Sequence, residues 1–167
     1  MDAEEYLEIV DNKGKVIGYA KRSEIHGNTS LIHRVVHVLV FNKNGKLLLQ
    51  KRSKNKDVAP GKWDTSVGGH VGIGEDLSFS SRREMYEELG ITGHEPVYLY
   101  SYIYSNHYET ELVTTYRCIY EGYISFNSQE IEEIRFWSFD EIREATGKKI
   151  LSDNFEYEFN TYLSYYL

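Results

Sequence analysis

A glycine-rich turn followed directly by an acidic segment is the feature that most constrains this chain. Residues 69–91 read GHVGIGEDLSFSSRREMYEELGI and place Glu84, Glu87 and Glu88 within five positions. Residues three and four apart lie on one face of a helix, so these carboxylates would project together. Like charges at that spacing destabilise a helix by about 0.2–0.5 kcal/mol per pair. The segment therefore predicts a helix over about Leu77 to Leu89 whose acidic edge holds a hard divalent cation, Mg²⁺ or Mn²⁺.

Composition indicates one globular domain over residues 1–167 and argues against several classes of protein. Hydrophobic residues make up 41% of the 167 positions and aromatic residues 14%, with two prolines, which is enough for a packed core. A net charge of −7 is the wrong sign for a protein that wraps long nucleic acid. The single cysteine, Cys118, cannot form an internal disulfide, and the first ten residues show no leader pattern. No apolar run approaches the roughly 20 residues that cross a bilayer, so we expect a soluble cytoplasmic protein.

Apolar runs separated by Asn/Gly turns predict two β-hairpins before the acidic helix. The first joins Tyr6 to Val10 with Lys15 to Ala20, and lies within a hairpin extension over residues 1–30. The second joins Ile32 to Phe41 with Lys46 to Gln50. Further strands are predicted near Val97 to Tyr104, Leu112 to Tyr123 and Ile134 to Trp137. Mixed strands with helices outside, without βαβ periodicity, predict an α+β fold or an α/β/α sandwich with a mixed central sheet.

Two helices are predicted at the C-terminal end of the chain. Ser138 and Glu141 have the spacing of a capping box for a short helix, and residues 150–167 contain a helix from about Phe155 to Tyr166. Apolar side chains recur on that last helix at helical spacing, which favours packing in the core or in a homodimer over a ligand site. They are Phe155, Phe159, Tyr162, Leu163 and Tyr166.

The glycines and the helix faces suggest how the acidic edge is held. Glycines at 68, 69, 72 and 74 allow a turn or a close approach of the main chain to a ligand. On the helix, one face carries Met85 and Leu89 with Ser78 and Ser81, and another carries Phe79 and Tyr86; either could anchor the helix in the core. Arg83 has two interpretations: it binds substrate phosphate, or it pairs with Glu75 and braces the loop.

These residues are similar to the Nudix signature, G-x5-E-x7-R-E-U-x-E-E-x-G-U, in which U is aliphatic. Every fixed position is met, by Gly69, Glu75, Arg83, Glu84, Met85, Glu87, Glu88, Gly90 and Ile91. The resemblance implies a Nudix α/β/α sandwich, with Mg²⁺ or Mn²⁺ held by the three glutamates and the Gly69 carbonyl. It also implies a diphosphohydrolase that cleaves a small nucleotide or another organic diphosphate, with Arg83 and the glutamates as catalytic residues.

In such a reaction the metal ions would neutralise the diphosphate oxygens and lower the pKa of the attacking water. The base that takes the water proton is left open between Glu84 and the pair Glu109 and Glu111. Lys51 and Arg52 are the cations predicted to contact the substrate phosphates, although ordinary solvated cations are the alternative.

A second likeness extends over about Ile9 to Tyr120 and resembles the isopentenyl-diphosphate isomerase branch of the superfamily. Three phrases carry it: DNKGKVIGYAKRSEIH, LIHRVVHVLVFNKNGKLLLQKRSKNK and PGKWDTSVGGHV. Those isomerases bind a metal through three histidines and two glutamates. The matching residues here, a second metal site by this resemblance, are His26, His33, His70, Glu109 and Glu111. Structural histidines that bind no metal are the alternative.

One departure from that branch favours hydrolysis over isomerisation. The isomerases carry a proton-transferring cysteine immediately before the Gly-His pair, and this chain has Gly68 there. Glycine has no side chain with which to move a proton. We therefore predict a Nudix hydrolase on an isomerase-like scaffold, with an isomerase-like enzyme and a non-catalytic diphosphate-binding module as alternatives.

Overall fold

The computed structural model describes residues 4–167; residues 1–3, which the predicted domain and its N-terminal extension include, lie outside the described residues. The described part contains nine strands and four helices. In chain order they are β1 Tyr6–Val10, β2 Val16–Lys21, α1 Arg22–Ile25, β3 Ile32–Phe41, β4 Leu47–Arg52, β5 Trp63–Asp64, β6 Val67–His70, α2 Leu77–Leu89, β7 Val97–Ser105, β8 Thr110–Ile119, β9 Ile131–Trp137, α3 Phe139–Ala145 and α4 Asp153–Tyr166. The predicted α+β class is confirmed.

Contacts divide the described chain into two compact units. The first takes residues 4–38, 68–84 and 95–117, and the second takes 39–67, 85–94 and 118–167. Each unit is therefore assembled from segments far apart in sequence, and α2 contributes residues to both.

The first unit is built from two antiparallel hairpins, β1–β2 and β7–β8, together with most of β3. Strand β1 pairs with β3 through Ile9 and His33, and β6 also pairs with β3. The apolar side chains of β1, β2 and α1 form one buried cluster, and those of β3, β7 and β8 form another. The two clusters are Leu7, Ile9, Ala20 and Ile25, and Val35, Tyr104 and Val113.

The second unit is centred on β4, which pairs with β9 along six positions from Leu47 to Arg52. Strand β5 lines the other edge of β4, and a parallel bridge joins Trp63 to Leu151. Helix α4 buries Phe155 and Phe159 completely or nearly so. The predicted apolar face of the last helix is thus a core face over its first two turns.

Most predicted elements lie where the sequence placed them. Helix α2 spans Leu77–Leu89, and Gly90 ends it with a left-handed φ of 69°. At the start of α3, both hydrogen bonds of the Ser138 and Glu141 capping box are present. No helix within residues 4–167 has the length and apolarity that a membrane span requires.

Three local predictions were wrong. Strand β8 ends at Ile119, four residues short of Tyr123. The predicted turn at Gly68-Gly69 lies instead in strand β6. Phe79 and Tyr86 do not anchor α2, since 48% and 60% of their surfaces are exposed; Met85 and Leu89 are the buried residues.

Candidate functional site

Glu84 lies directly against the main chain of Gly69. A Cβ atom built on residue 69 would fall 2.1 Å from the Glu84 Cδ and within 2.4 Å of both of its carboxylate oxygens. With Glu84 in this position, residue 69 has no room for a side chain unless the carboxylate moves. The arrangement brings together two of the residues that the Nudix resemblance assigns to metal binding.

Arg83 braces the loop that joins β6 to α2. Its Nε and Nη2 donate to the two carboxylate oxygens of Glu75 at 2.8 and 2.9 Å, and Nη2 also donates to the His70 carbonyl at 3.0 Å. Its Nη1 donates to Glu84 at 2.8 Å. The bidentate bond from Arg83 holds the pKa of the Glu75 carboxyl below its usual range. The predicted contact of Arg83 with Glu75 is present, and binding of substrate phosphate by Arg83 stays a prediction.

Glu8, which the sequence did not single out, also holds this loop. Its carboxylate is 7% exposed, accepts a hydrogen bond from the Gly74 N–H at 2.6 Å, and pairs with Arg34 at 3.2 Å. In the sequence Glu8 is one acidic residue in the middle of a β-strand, 66 positions before Gly74. No local pattern could have predicted this contact.

The histidines and glutamates of the second predicted metal site lie close together in the first unit. One ligand atom each from His33, Glu109 and Glu111 fall within 4.8 Å of one another. The Nε2 of His26 lies 3.3 Å from Glu109, and the ring centroid of His70 lies 5.2 Å from that of His33. All five candidates are thus neighbours, although the His70 Nδ1 also contacts Glu5 at 3.2 Å.

The chemistry of this cluster fits a divalent transition metal ion. His33 is fully buried; its Nδ1 has no hydrogen-bond partner among residues 4–167, and its Nε2 lies 3.6 Å from Glu111 and 3.8 Å from Glu109, beyond hydrogen-bond length. Burial, and then the nearby Glu111 carboxylate, raise the pKa of Glu109, while burial lowers the pKa of His26. A cation would supply the missing partner for His33 and offset the repulsion between the two carboxylates.

In the second unit, the Gln50 side chain fixes one of the acidic residues of α2. Its Nε2 donates to the Glu88 carboxylate at 2.9 Å and to the Ser66 carbonyl at 3.0 Å. Glu87, one position earlier, is exposed. Helix α2 therefore carries, at consecutive positions, one carboxylate held by a hydrogen bond and one accessible carboxylate.

The two predicted phosphate-binding cations already contact carboxylates of the second unit. Arg52 lies 3.3 Å from Asp64 and donates from Nε to the Val58 carbonyl at 2.8 Å, whereas Lys51 reaches Glu132 only at 4.0 Å. Lys51 is the freer of the two to contact a ligand. Their role in binding phosphate stays a prediction.

Comparison with known proteins identifies the family. The NUDIX domain model matches residues 31–156. An uncharacterised Nudix hydrolase of Yersinia pestis is 34% identical over 134 residues, which cover 78% of this chain and 71% of that protein. A crystal structure of a Deinococcus radiodurans protein superposes with a TM-score of 0.79 at 25% identity, over 95% of this chain and 99% of that one. The NUDIX domain of Shewanella oneidensis NrtR, solved with ADP ribose, has the same fold, with a TM-score of 0.64 at 13% identity over 79% of this chain and 86% of that one.

The chain belongs to the NUDIX domain family and is an enzyme of the Nudix hydrolase class. The predicted Nudix fold, with its mixed sheet and few helices, is confirmed.

Proposed function

We propose that this protein hydrolyses the diphosphate linkage of a small nucleotide or another organic diphosphate, with Mg²⁺ or Mn²⁺ as cofactor. The observation that carries the proposal is the contact of Glu84 with the Gly69 main chain, because it sets a carboxylate against the backbone of β6, next to the loop that Arg83 and Glu75 brace. Oxygen ligands in a fixed geometry are what a hard divalent cation requires. The ADP ribose in the Shewanella relative is a ligand of the proposed class.

The proposed hydrolysis needs residues that hold the metal, residues that position them, and a base. Gly69, Glu84, Glu87 and Glu88 would hold the metal, which would polarise the diphosphate and activate water for attack on phosphorus. The ion pair of Arg83 with Glu75 keeps the loop in place, and Gln50 orients Glu88. Either Glu84 or one of the pair Glu109 and Glu111 would take the proton of the water.

A specific contact supports hydrolysis over isomerisation. A Cβ atom on residue 68, where the isomerases carry cysteine, would lie 3.2 Å from Cδ2 of the His37 ring. His37 is buried and would have to move to admit the side chain. The chain therefore lacks the cysteine, and a side chain at this position would press against the His37 ring.

The isomerase-like branch remains a second candidate because of the His33 cluster. Its buried imidazole and two carboxylates suit Mn²⁺, Fe²⁺ or Zn²⁺. Deuterium incorporation into isopentenyl diphosphate in heavy water tests this candidate, and the absence of label would end it. We also propose a cytoplasmic location, and a homodimer as one possible assembly.

Product analysis across nucleoside diphosphates and triphosphates, nucleotide sugars, CoA and prenyl diphosphates, with Mg²⁺ and with Mn²⁺, tests the main proposal. We expect cleavage of at least one class, and a fall of about 10²-fold or more in rate for Glu87→Gln. Glu144→Gln, on the exposed side of α3, is the matched control and should keep the full rate. Tight binding without any product would instead favour the non-catalytic binding module.

A further inference from the structure

A cavity of about 440 Å³ opens in the first unit, and the proposed chemistry does not use it. Arg34 of β3 and Leu112 and Thr114 of β8 line its wall. Successive side chains of a strand point to opposite faces, so Arg34 lies opposite His33, and Leu112 lies opposite Glu111. The cavity is therefore on the other face of these strands from the His33 cluster, and its volume falls in the range of small-molecule sites.

The turn between β1 and β2 forms an ordered rim of the cavity. The Asp11 carboxylate accepts hydrogen bonds from the backbone N–H groups of Lys13 at 2.9 Å and of Lys15 at 3.0 Å. Gly14 packs against β8 so closely that a Cβ atom there would lie 3.3 Å from the Leu112 Cδ2. Because the rim is fixed on both sides, its side chains keep their places around the opening.

Lys13 and Arg34 are the cations in the lining of the cavity, and one of them is paired with a carboxylate. Lys13 takes part in none of the ion pairs that join residues 4–167. Arg34 pairs with Glu8, and its buried Nε has no hydrogen-bond partner within the described chain. Among the charged side chains that line the cavity, Arg34 is thus offset by an ion pair and Lys13 is not, which matches a singly charged ligand better than a diphosphate.

The remaining wall offers both hydrogen bonds and apolar surface. The Ser101 and Thr114 hydroxyls lie 3.2 Å apart on neighbouring strands, and Leu112 and Ile103 supply apolar contacts beside them. We propose that the cavity binds a small organic monoanion, a carboxylate with an apolar body. Its carboxylate lies at Lys13 and Arg34, and its body packs on Leu112 and Ile103.

Calorimetric titration with 4-phenylbutyrate tests this site directly. EDTA is present throughout, so that no divalent cation can hold the carboxylate at the acidic residues. We expect saturable binding of one molecule per chain, and binding of the neutral 4-phenylbutyramide weaker by about tenfold. Absence of saturable binding overturns the site. Equal affinities for the acid and the amide overturn the claim that the site recognises a negative charge.

Two variants and one matched control locate the binding. Ser101→Trp fills the cavity from an exposed position of its wall and should abolish binding; circular dichroism checks that this variant folds. Lys13→Gln should weaken binding by about fivefold. Lys43→Gln changes a lysine in the β3–β4 turn, which has the same pattern of backbone hydrogen bonds but lies outside the cavity, and should bind as the unaltered protein does. Unaltered affinity in Ser101→Trp, or equal losses in Lys13→Gln and Lys43→Gln, would place the ligand elsewhere.

Discussion

At the scale of single residues, the signature positions divide into those that would touch a metal and those that hold others in place. Gly69 belongs to both groups, since its carbonyl is a proposed ligand and its missing side chain makes room for Glu84. Glu75 belongs to the second, because Arg83, the Gly72 N–H and the Ser80 hydroxyl all donate to it. A sequence motif does not separate these roles, whereas the contacts do.

Replacing Gly69 with alanine should displace Glu84. The added Cβ would overlap the carboxylate, and a shift of about 1 Å in a reacting group can lower a rate by about 10²-fold. Steady-state rates of Gly69→Ala at saturating Mg²⁺ measure the effect. Gly18→Ala is the control because nothing lies within 4 Å of a Cβ there, so it should keep its rate. Full activity in Gly69→Ala would show that the position of Glu84 does not matter.

Removing the Glu8 carboxylate should loosen the loop from outside the signature. In Glu8→Ala the Gly74 N–H and Arg34 both lose their acceptor, and we expect a loss of about 1–3 kcal/mol in the free energy of unfolding. Because the loop would be less ordered, half-maximal activity should also require more Mg²⁺. Glu8→Gln, which keeps an acceptor for Gly74, should fall between Glu8→Ala and the unaltered protein. Denaturant titration and Mg²⁺ dependence measure the two effects, and an unchanged Mg²⁺ requirement in Glu8→Ala would contradict the loop role.

Among the elements, prediction succeeded where the signals are local. The bounds of α2 follow from a helical pattern that ends in glycine, and the start of α3 follows from its capping box. Strands β5 and β6, of two and four residues, carry no such pattern and were not predicted. Their pairing depends on partners distant in sequence, which a window of neighbouring residues does not contain.

The glycine that ends α2 should matter for stability. Gly90 has a φ of 69°, and a Cβ there would lie 3.3 Å from the Ser125 Cβ. We expect Gly90→Ala to lower the free energy of unfolding by about 1–2 kcal/mol, the cost of a left-handed alanine. Gly90→Asn should lower the free energy of unfolding by less than Gly90→Ala does, because asparagine tolerates the left-handed conformation. Denaturant unfolding measures both, and equal stability of Gly90→Ala and the unaltered protein would contradict the strain.

The loop between β6 and α2 should give the protein a component of stability that depends on pH. Arg83 lowers the pKa of Glu75 below its ordinary value of 4.5, so the pair contributes fully above that pH and is lost as the pH falls through the lowered pKa. The difference in unfolding free energy between the unaltered protein and Glu75→Gln should therefore be largest near neutral pH and shrink in acid. Glu95→Gln is the control, since its pair with the exposed Arg82 should contribute little at any pH. A difference that does not change with pH would contradict the assignment.

For the whole molecule, the fold was predictable because the signature and the hairpin pattern agree on it. The details of the site were not, because they depend on contacts across the chain: Glu8 with Gly74, Gln50 with Glu88, and His26 with Glu109. Each of these contacts joins two segments that are far apart in sequence and meet only in the folded chain. Sequence reasoning from the resemblance found His26, Glu109 and Glu88, but it had no signal for Glu8 or Gln50.

Metal binding should act on the stability of the whole fold. A ligand that binds only the folded state stabilises it by about 2.7 kcal/mol at a hundredfold excess over its Kd. In a chain with a net charge of −7, a bound cation also stabilises the folded state by neutralising carboxylates that repel one another. We expect Mg²⁺ to raise the thermal unfolding midpoint of the unaltered protein and of Glu144→Gln, but not of Glu87→Gln. Mn²⁺ should still stabilise Glu87→Gln, because the His33 cluster is intact in that variant. Calorimetric scans at a series of metal concentrations separate the two sites. If Mg²⁺ raises the unfolding midpoint of Glu87→Gln as much as that of the unaltered protein, the role of α2 is contradicted. If neither Mg²⁺ nor Mn²⁺ raises the midpoint of Glu87→Gln, a separate His33 site is contradicted.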